Sequence, residues 1–408
     1  MKNKKKLGLF GWIMIGFIGG IATGVIFGEK ATSLQFLGTI LTRLLNMVVV
    51  PLVMSLLITS AAEVGSYKTL GKRAGATFVV FMLTTAAATV VGLVLANALS
   101  VGTGVQISTE GLQANATTEM NLLDTLINII PSNIFVAMAD ATLLQCIVFA
   151  LLFGFALTRL GKEGEAVLGF FRGVSKTMTE ITNIILWYSP VGVFGLMAWV
   201  IGKYGLAIMI PYAKAIAAVY IGCFLHVLFV DGGIMVGLVC KRSPLKFLKI
   251  MKETLLFAVA TCSSVATIPL TLKSAKRLGA ADDVADFVVP FGAVVNMDGT
   301  AIYQAVAAIF AAQIFGIELT FGQQIVVMLT AVLASIGTAG VPGSGLIMLS
   351  IVLNAVGLPL EAVGLLAGVD RFLNMGRMVP NIAGDAATSM VISHMEGNLG
   401  EMQMEEAA

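Results

Sequence analysis

Asp370-Arg371-Phe372-Leu373-Asn374-Met375-Gly376-Arg377-Met378-Val379-Pro380-Asn381-Ile382-Ala383-Gly384-Asp385 places four formal charges in an otherwise oily part of the chain. From Leu278 to the C-terminus, Arg371 and Arg377 are the only Lys or Arg residues. Charge at membrane depth is costly, so it faces a bundle interior, pairs, and marks a transport pathway. On a helix, Asp370, Asn374, Arg377, Asn381 and Asp385 are spaced by four, three, four and four and share one face. A polar stripe of this kind on an apolar helix is a binding surface.

The surroundings fit that reading. Of 408 residues, 58% are hydrophobic and 12% charged, with a mean hydropathy of +0.95; soluble domains carry about twice that share of charge. The chain reads as an all-α polytopic membrane protein. The net charge of +2 says nothing about nucleic acid, and no basic patch interleaved with aromatics appears, so no nucleic-acid partner is expected. Cys146, Cys223, Cys240 and Cys262 lie apart in apolar sequence with no CxxC spacing and read as small hydrophobes, neither disulfides nor zinc ligands.

Apolar spans fall near 7–28, 34–62, 73–100, 126–158, 164–202, 206–240, 284–315 and 359–394. The first follows Lys2 to Lys6 and exceeds the ~7–15 residues of a signal-peptide core, so it reads as a retained helix. Basic clusters at Lys2–Lys6, Lys68–Arg73, Arg159–Lys176 and Lys241–Lys252 fall on one side of alternating spans, which places both termini in the cytoplasm. Two further apolar segments, 245–272 and 322–352, are interrupted centrally by Thr261–Pro269 and Ser335–Gly345. Non-helical backbone at membrane depth survives only inside protein or beside a wet cavity, so both read as re-entrant hairpins. Each is followed by an odd helix: Asn296-Met297-Asp298-Gly299-Thr300 breaks the first, and the charged stripe occupies the second. Hairpin then interrupted helix, twice, is the pattern of an inverted repeat with a site at its interface.

NMDGT at Asn296–Thr300, the hairpin tip ASIGTAGVPGSG and the helix DxxxNxxRxxxNxxxD resemble the dicarboxylate/amino acid:cation symporter family, which includes the glutamate transporter homologues. The likeness extends to Arg43–Met47 with Pro51, to Thr84-Thr85 and to Pro190–Phe194, nearly the whole chain. The resemblance implies eight transmembrane helices, two hairpins, a homotrimer in the lipid bilayer and an elevator mechanism. On that pattern residues 1–70 and 101–205 form a scaffold, 71–100 and 206–395 a transport domain, and 396–408 a cytoplasmic tail. It implies no cofactor, with Na+ as coupling ion. One ion would be held by Asn296, Asp298, Thr84 and Thr85, a second by Gly292, Asn296, Asn381 and Asp385, and a third by Met297, Ser335, Ile336 and Thr338. A small acidic substrate would lie near Ser263, Ser264, Thr300, Val341, Gly345, Asn374, Arg377 and Asn381, with Asp370 and Arg371 in support.

The residue chemistry agrees. Asp298 and Asp385 supply charge to a hard cation, amides and hydroxyls supply neutral oxygens, and Arg377 offers a planar fork for a carboxylate. Many amino-acid carriers of this family have Asp where this chain has neutral Asn374, which favours a substrate with two carboxylates and no amine; acidic amino acids remain the alternative. Keeping Asp385 argues for sodium over protons. The plainer readings are that Asp370 orients an arginine, that Ser263-Ser264 caps a hairpin, and that His226 and Asp231, outside the family's ligand set, sit at an interface or lumen, with a proton relay as the alternative. A passive anion channel is the competing class. An intramembrane enzyme built on Ser263 or Cys262 lacks a nearby histidine base.

Overall fold

The computed structural model describes residues 9–66, 71–105, 107, 127, 130–140, 142–336 and 344–403, and among these there are helices and turns and no strand. Helices α1 (Leu9–Phe27), α2 (Gln35–Ser66), α3 (Gly71–Leu99), α4 (Ile134–Ala139), α5 (Leu143–Leu160) and α6 (Glu165–Tyr204) make up the first half. Five helical runs among the described residues are long and apolar enough to cross a membrane: Gly11–Leu41, Lys72–Leu99, Gln145–Tyr204, Leu206–Val239 and Asp282–Ile314. The four cysteines are free and buried, as expected of small hydrophobes.

Helices α1, α2, α5 and α6 pack on one another. Gly16, Gly20 and Gly24, four apart on α1, let its backbone approach α6; a Cβ built at Gly20 would lie 2.7 Å from Met197 Cβ. Small residues at this spacing are the usual means of close helix approach in lipid, where no hydrophobic force drives helices together.

The second half is built from helices that stop short. Helix α7 (Met209–Leu225) changes its hydrogen bonding at His226 and continues as a π-helix over His226–Val239; at its end the Cys240 N–H donates to the carbonyl of Met235, five residues back. Glycine suits this wide turn, because a Cβ at Gly232 would sit 3.1 Å from the Val227 carbonyl oxygen. Helix α8 (Pro244–Thr261) begins with Ser243 as N-cap and Pro244 at its first position, which has no N–H to leave unsatisfied. It ends at Cys262, whose φ of +52° turns the chain back. Ser263 then caps α9 (Ser264–Arg277) by accepting from the Ala266 N–H at 3.2 Å. Thr254 and Ser274 hydroxyls, 2.8 Å apart, tie the two arms of this hairpin together.

Helix α10 (Asp282–Val295) and α11 (Asp298–Ile314) are separated at Asn296 and Met297, where the NMDGT motif led us to expect a break. Helices α12 (Phe321–Ile336) and α13 (Ser344–Ala355) are the arms of the second hairpin, and its tip, residues 337–343, lies outside the described residues. In the last segment the interruption falls earlier than Pro380: α14 (Glu361–Ala367) ends at Gly368 and Val369, and α15 (Asp370–Met395) runs through Pro380 without a break. A Cβ at Gly368 would lie 2.5 Å from Met197 Cε, so α6 packs against the gap before α15.

Helices α3 and α7 to α13 gather around α11 and α15, which are buried along nearly their whole length. Arg73 of α3 bridges Asp283 of α10 at 2.8 Å and Glu396, just past α15, at 2.6 Å. Residues 400–403 pack on the turn after α9, with Gly400 and Gln403 N–H groups donating to Gly279 and Arg277 carbonyls.

Candidate functional site

The break at Asn296–Met297 exposes the start of α11 to the middle of α15. There the side-chain oxygen of Asn381 accepts from the Gly299 N–H at 2.8 Å, so a residue of one helix satisfies an orphan donor at the end of another. Asn381 Nδ2 lies 3.3 Å from Met297 Sδ, and the Thr300 hydroxyl faces the same sulfur at 3.8 Å. Gly299 has no room for a side chain, since a Cβ would collide with the Arg377 carbonyl.

Asp298 opens α11 fully buried. Its Oδ1 accepts from the hydroxyls of Thr85 at 2.7 Å and Thr84 at 3.3 Å, both on α3. Its Oδ2 stands 3.1 Å from His226 Nε2. Asn296 donates through Nδ2 to Asp385 Oδ1 at 3.0 Å and to the Asn381 carbonyl at 3.1 Å. A Cβ at Gly292 would strike Asp385 Oδ1, so this glycine is where α10 admits that carboxylate.

Two oxygens in this cluster, Asn296 Oδ1 and Asp385 Oδ2, are buried and accept no hydrogen bond. Unsatisfied buried acceptors are rare and costly. Buried carboxylate and amide oxygens without donors are the ligand type that suits a hard cation. The expected sodium ligands Thr84, Thr85, Gly292, Asn296, Met297, Asp298, Asn381 and Asp385 are therefore brought into one buried cluster. Ser335 is buried but bonds the Val332 carbonyl of its own helix at 2.7 Å. The Ile336 side chain, Thr338 and Val341 lie outside the described residues.

Arg377 is 1% exposed. Its Nη2 donates to Asp370 Oδ1 at 2.9 Å, and the guanidinium lies over the Tyr303 ring, 4.2 Å from the centroid. Asp370 thus orients an arginine one pair of turns further along α15, the plainer of its two readings. The Nε and Nη1 of Arg377 have no partner. Gly345, at the start of α13, meets this free edge: a Cβ there would be 2.6 Å from Nη1 and 3.3 Å from Thr300 Cγ2. Asn374 is buried and lines a cavity of about 50 Å³ with Asp370, Arg371, Leu346 of α13 and Ser189 of α6. At the first hairpin, Ser263 acts as a cap, whereas Ser264 is fully buried with Oγ 4.0 Å from Met378 Sδ, one residue beyond Arg377.

The expectation for His226 and Asp231 is overturned. Both are fully buried, and His226 touches Asp298 instead of facing an interface or lumen. Five residues apart, they diverge around an α-helix of 3.6 residues per turn, and only the π-helix turns them to one side. Tyr303 also went unnoticed, although it follows Thr300 at helical spacing and could have been placed beside it.

Residues 9–395 match the sodium:dicarboxylate symporter family, and the chain belongs to it. It is similar to the proton/sodium-glutamate symport protein of Geobacillus stearothermophilus, 36% identical with 97% of this chain and 96% of that protein covered. The C4-dicarboxylate transport protein of Bacillus subtilis (strain 168) is 33% identical, with 97% and 95% covered. The proton/glutamate-aspartate symporter of Escherichia coli (strain K12) is 34% identical, with 97% and 94% covered. The several long apolar helices fit a membrane location.

Thr85→Val keeps the volume of the side chain and removes the shorter bond to Asp298. A hydrogen bond to a charged group contributes about 1.5–3 kcal/mol, so the variant should unfold at a lower temperature than the wild type in sodium-free detergent buffer. Equal midpoints would show that Thr85 does not hold Asp298.

Proposed function

We propose that the protein is a sodium-coupled secondary active symporter that imports small dicarboxylates, C4 acids such as succinate, fumarate or malate, across the cytoplasmic membrane. The observation that carries this reading is Arg377, buried, anchored by Asp370 on one nitrogen and free on Nε and Nη1, with neutral Asn374 on the same helix face. A guanidinium with a free edge in a site of low dielectric takes a carboxylate. Thr300, Gly345, Asn381 and Ser264 complete the wall, with Ser263 capping and Val341 assigned by the family pattern. Sodium is assigned to the cluster around Asp298 and Asp385, with Ser335, Ile336 and Thr338 as a third set.

The elevator reading rests on packing. α1, α2, α5 and α6 form one group and α3, α7 to α13 and α15 another, with the short α14 packed against both, which suits residues 1–70 and 101–205 as scaffold and 71–100 with 206–395 as the moving body. Eight spans, two re-entrant hairpins, a homotrimer and cytoplasmic termini belong to the same proposal. A second reading, symport of aspartate or glutamate, is favoured by the names of two of the relatives above; the Asn374 amide can accept from an ammonium through its oxygen or donate to a second carboxylate through its nitrogen. Specificity here is a difference of affinities.

Thermal-shift measurements with succinate, fumarate, malate, aspartate and glutamate, in sodium and in potassium, separate the readings, since a ligand of the native state stabilises it by mass action. The C4 acids should raise the midpoint in sodium alone; stabilisation by the amino acids only would install the second reading. Arg377→Ala should abolish every such shift, and a retained succinate response would remove its carboxylate role. Asn374→Asp should move preference toward aspartate, and a variant still preferring succinate would sink the argument from Asn374.

A further inference from the structure

The π-helix brings a third carboxylate to the cation cluster. His226 Nε2 stands 3.1 Å from Asp298 Oδ2 and 3.8 Å from Asp231 Oδ1. Ligand atoms of all three residues lie within 4.8 Å of one another, and all three side chains are fully buried. Neither oxygen of Asp231 accepts a hydrogen bond. The elements packed around this spot contribute Thr84 and Thr85 from α3, Asp298 from α11 and Asp385 from α15. Arg377, the buried arginine of α15, is bonded to Asp370. A buried carboxylate without donor or cation is among the costliest groups a protein can hold.

We infer that Asp231 and Asp298 share a sodium site, with His226 positioning Asp298 and not ligating the ion. Two oxygens that hold one hard cation at ~2.3–2.6 Å stand at most about 5 Å apart, which this pair satisfies. Bonded to a carboxylate, Nε2 carries the proton of the neutral tautomer and offers no lone pair. The donor set facing the ion is then all oxygen, the chemistry of a hard cation and not of zinc or nickel. The sixth span thereby joins the coupling machinery through Asp231. This inference rests on the sodium-symport reading and adds a ligand to it.

The test is sodium titration of thermal stability in choline buffer, without substrate, for wild type, Asp231→Asn and His226→Gln. In Asp231→Asn the sodium concentration for half-maximal stabilisation should rise by about tenfold or more, as expected on loss of one charged ligand. Its midpoint without sodium should equal or exceed that of the wild type, because an uncompensated buried charge is gone. His226→Gln, which keeps a donor, should shift the sodium curve less. If Asp231→Asn does not fold, Asp231→Ser is read in its place. Overlapping sodium curves for the wild type and the Asp231 variant would overturn the inference alone. A wild type indifferent to sodium would overturn the symport reading and the inference with it. Stabilisation by zinc alone, lost in both His226 and Asp231 variants, would overturn the assignment to a hard cation.

Discussion

Asp231, Asp298 and Asp385 are buried carboxylates whose surroundings supply hydroxyls, amides and one histidine, whereas the buried arginine of this region is bonded to Asp370. Charge placed in a low-dielectric interior must be matched by counter-charge or hydrogen bonds, or the fold loses several kcal/mol per ion. Here the hydrogen bonds are incomplete, and on the proposed reading sodium from solution supplies the counter-charge. On the proposed reading such a protein is most stable with cations bound, and an anionic substrate on Arg377 would profit from the same cations, so that ion and substrate binding would be coupled without direct contact between them.

The helix breaks serve this arrangement. A continuous helix through Asn296 and Met297 would bury Asp298 among its own turns and leave Gly299 N–H bonded within the helix; the break frees that N–H for Asn381 and turns Asp298 toward α3. Glycines at 292, 299, 345 and 384 sit where side chains of the cluster or the backbone of α15 press closest, so the site is shaped as much by missing Cβ atoms as by polar groups. Helix α15, continuous through Pro380, carries Arg377, Asn381 and Asp385 on one element, which would join the proposed anion and cation halves of the site.

Much of this was legible in the sequence because it obeys ordinary periodicity. The four-three-four-four spacing of the α15 stripe needed only 3.6 residues per turn, and all five of its members are buried. The NMDGT break and the Ser263 cap followed from residue types that end or start helices. What stayed hidden broke the same periodicity: His226 and Asp231 meet only because the chain switches to a π-helix, which no apolar repeat announces. The stop at Gly368 and Val369 lies just before the stripe, and no proline announces it, whereas α15 tolerates the missing N–H of Pro380.

The most direct measurement is uptake of labelled succinate into proteoliposomes with sodium inside equal to, or well below, sodium outside. An inward sodium gradient should drive internal succinate above the external concentration, and collapse of the gradient should release it. Succinate that equilibrates but never accumulates would contradict symport and leave a passive anion pathway in its place.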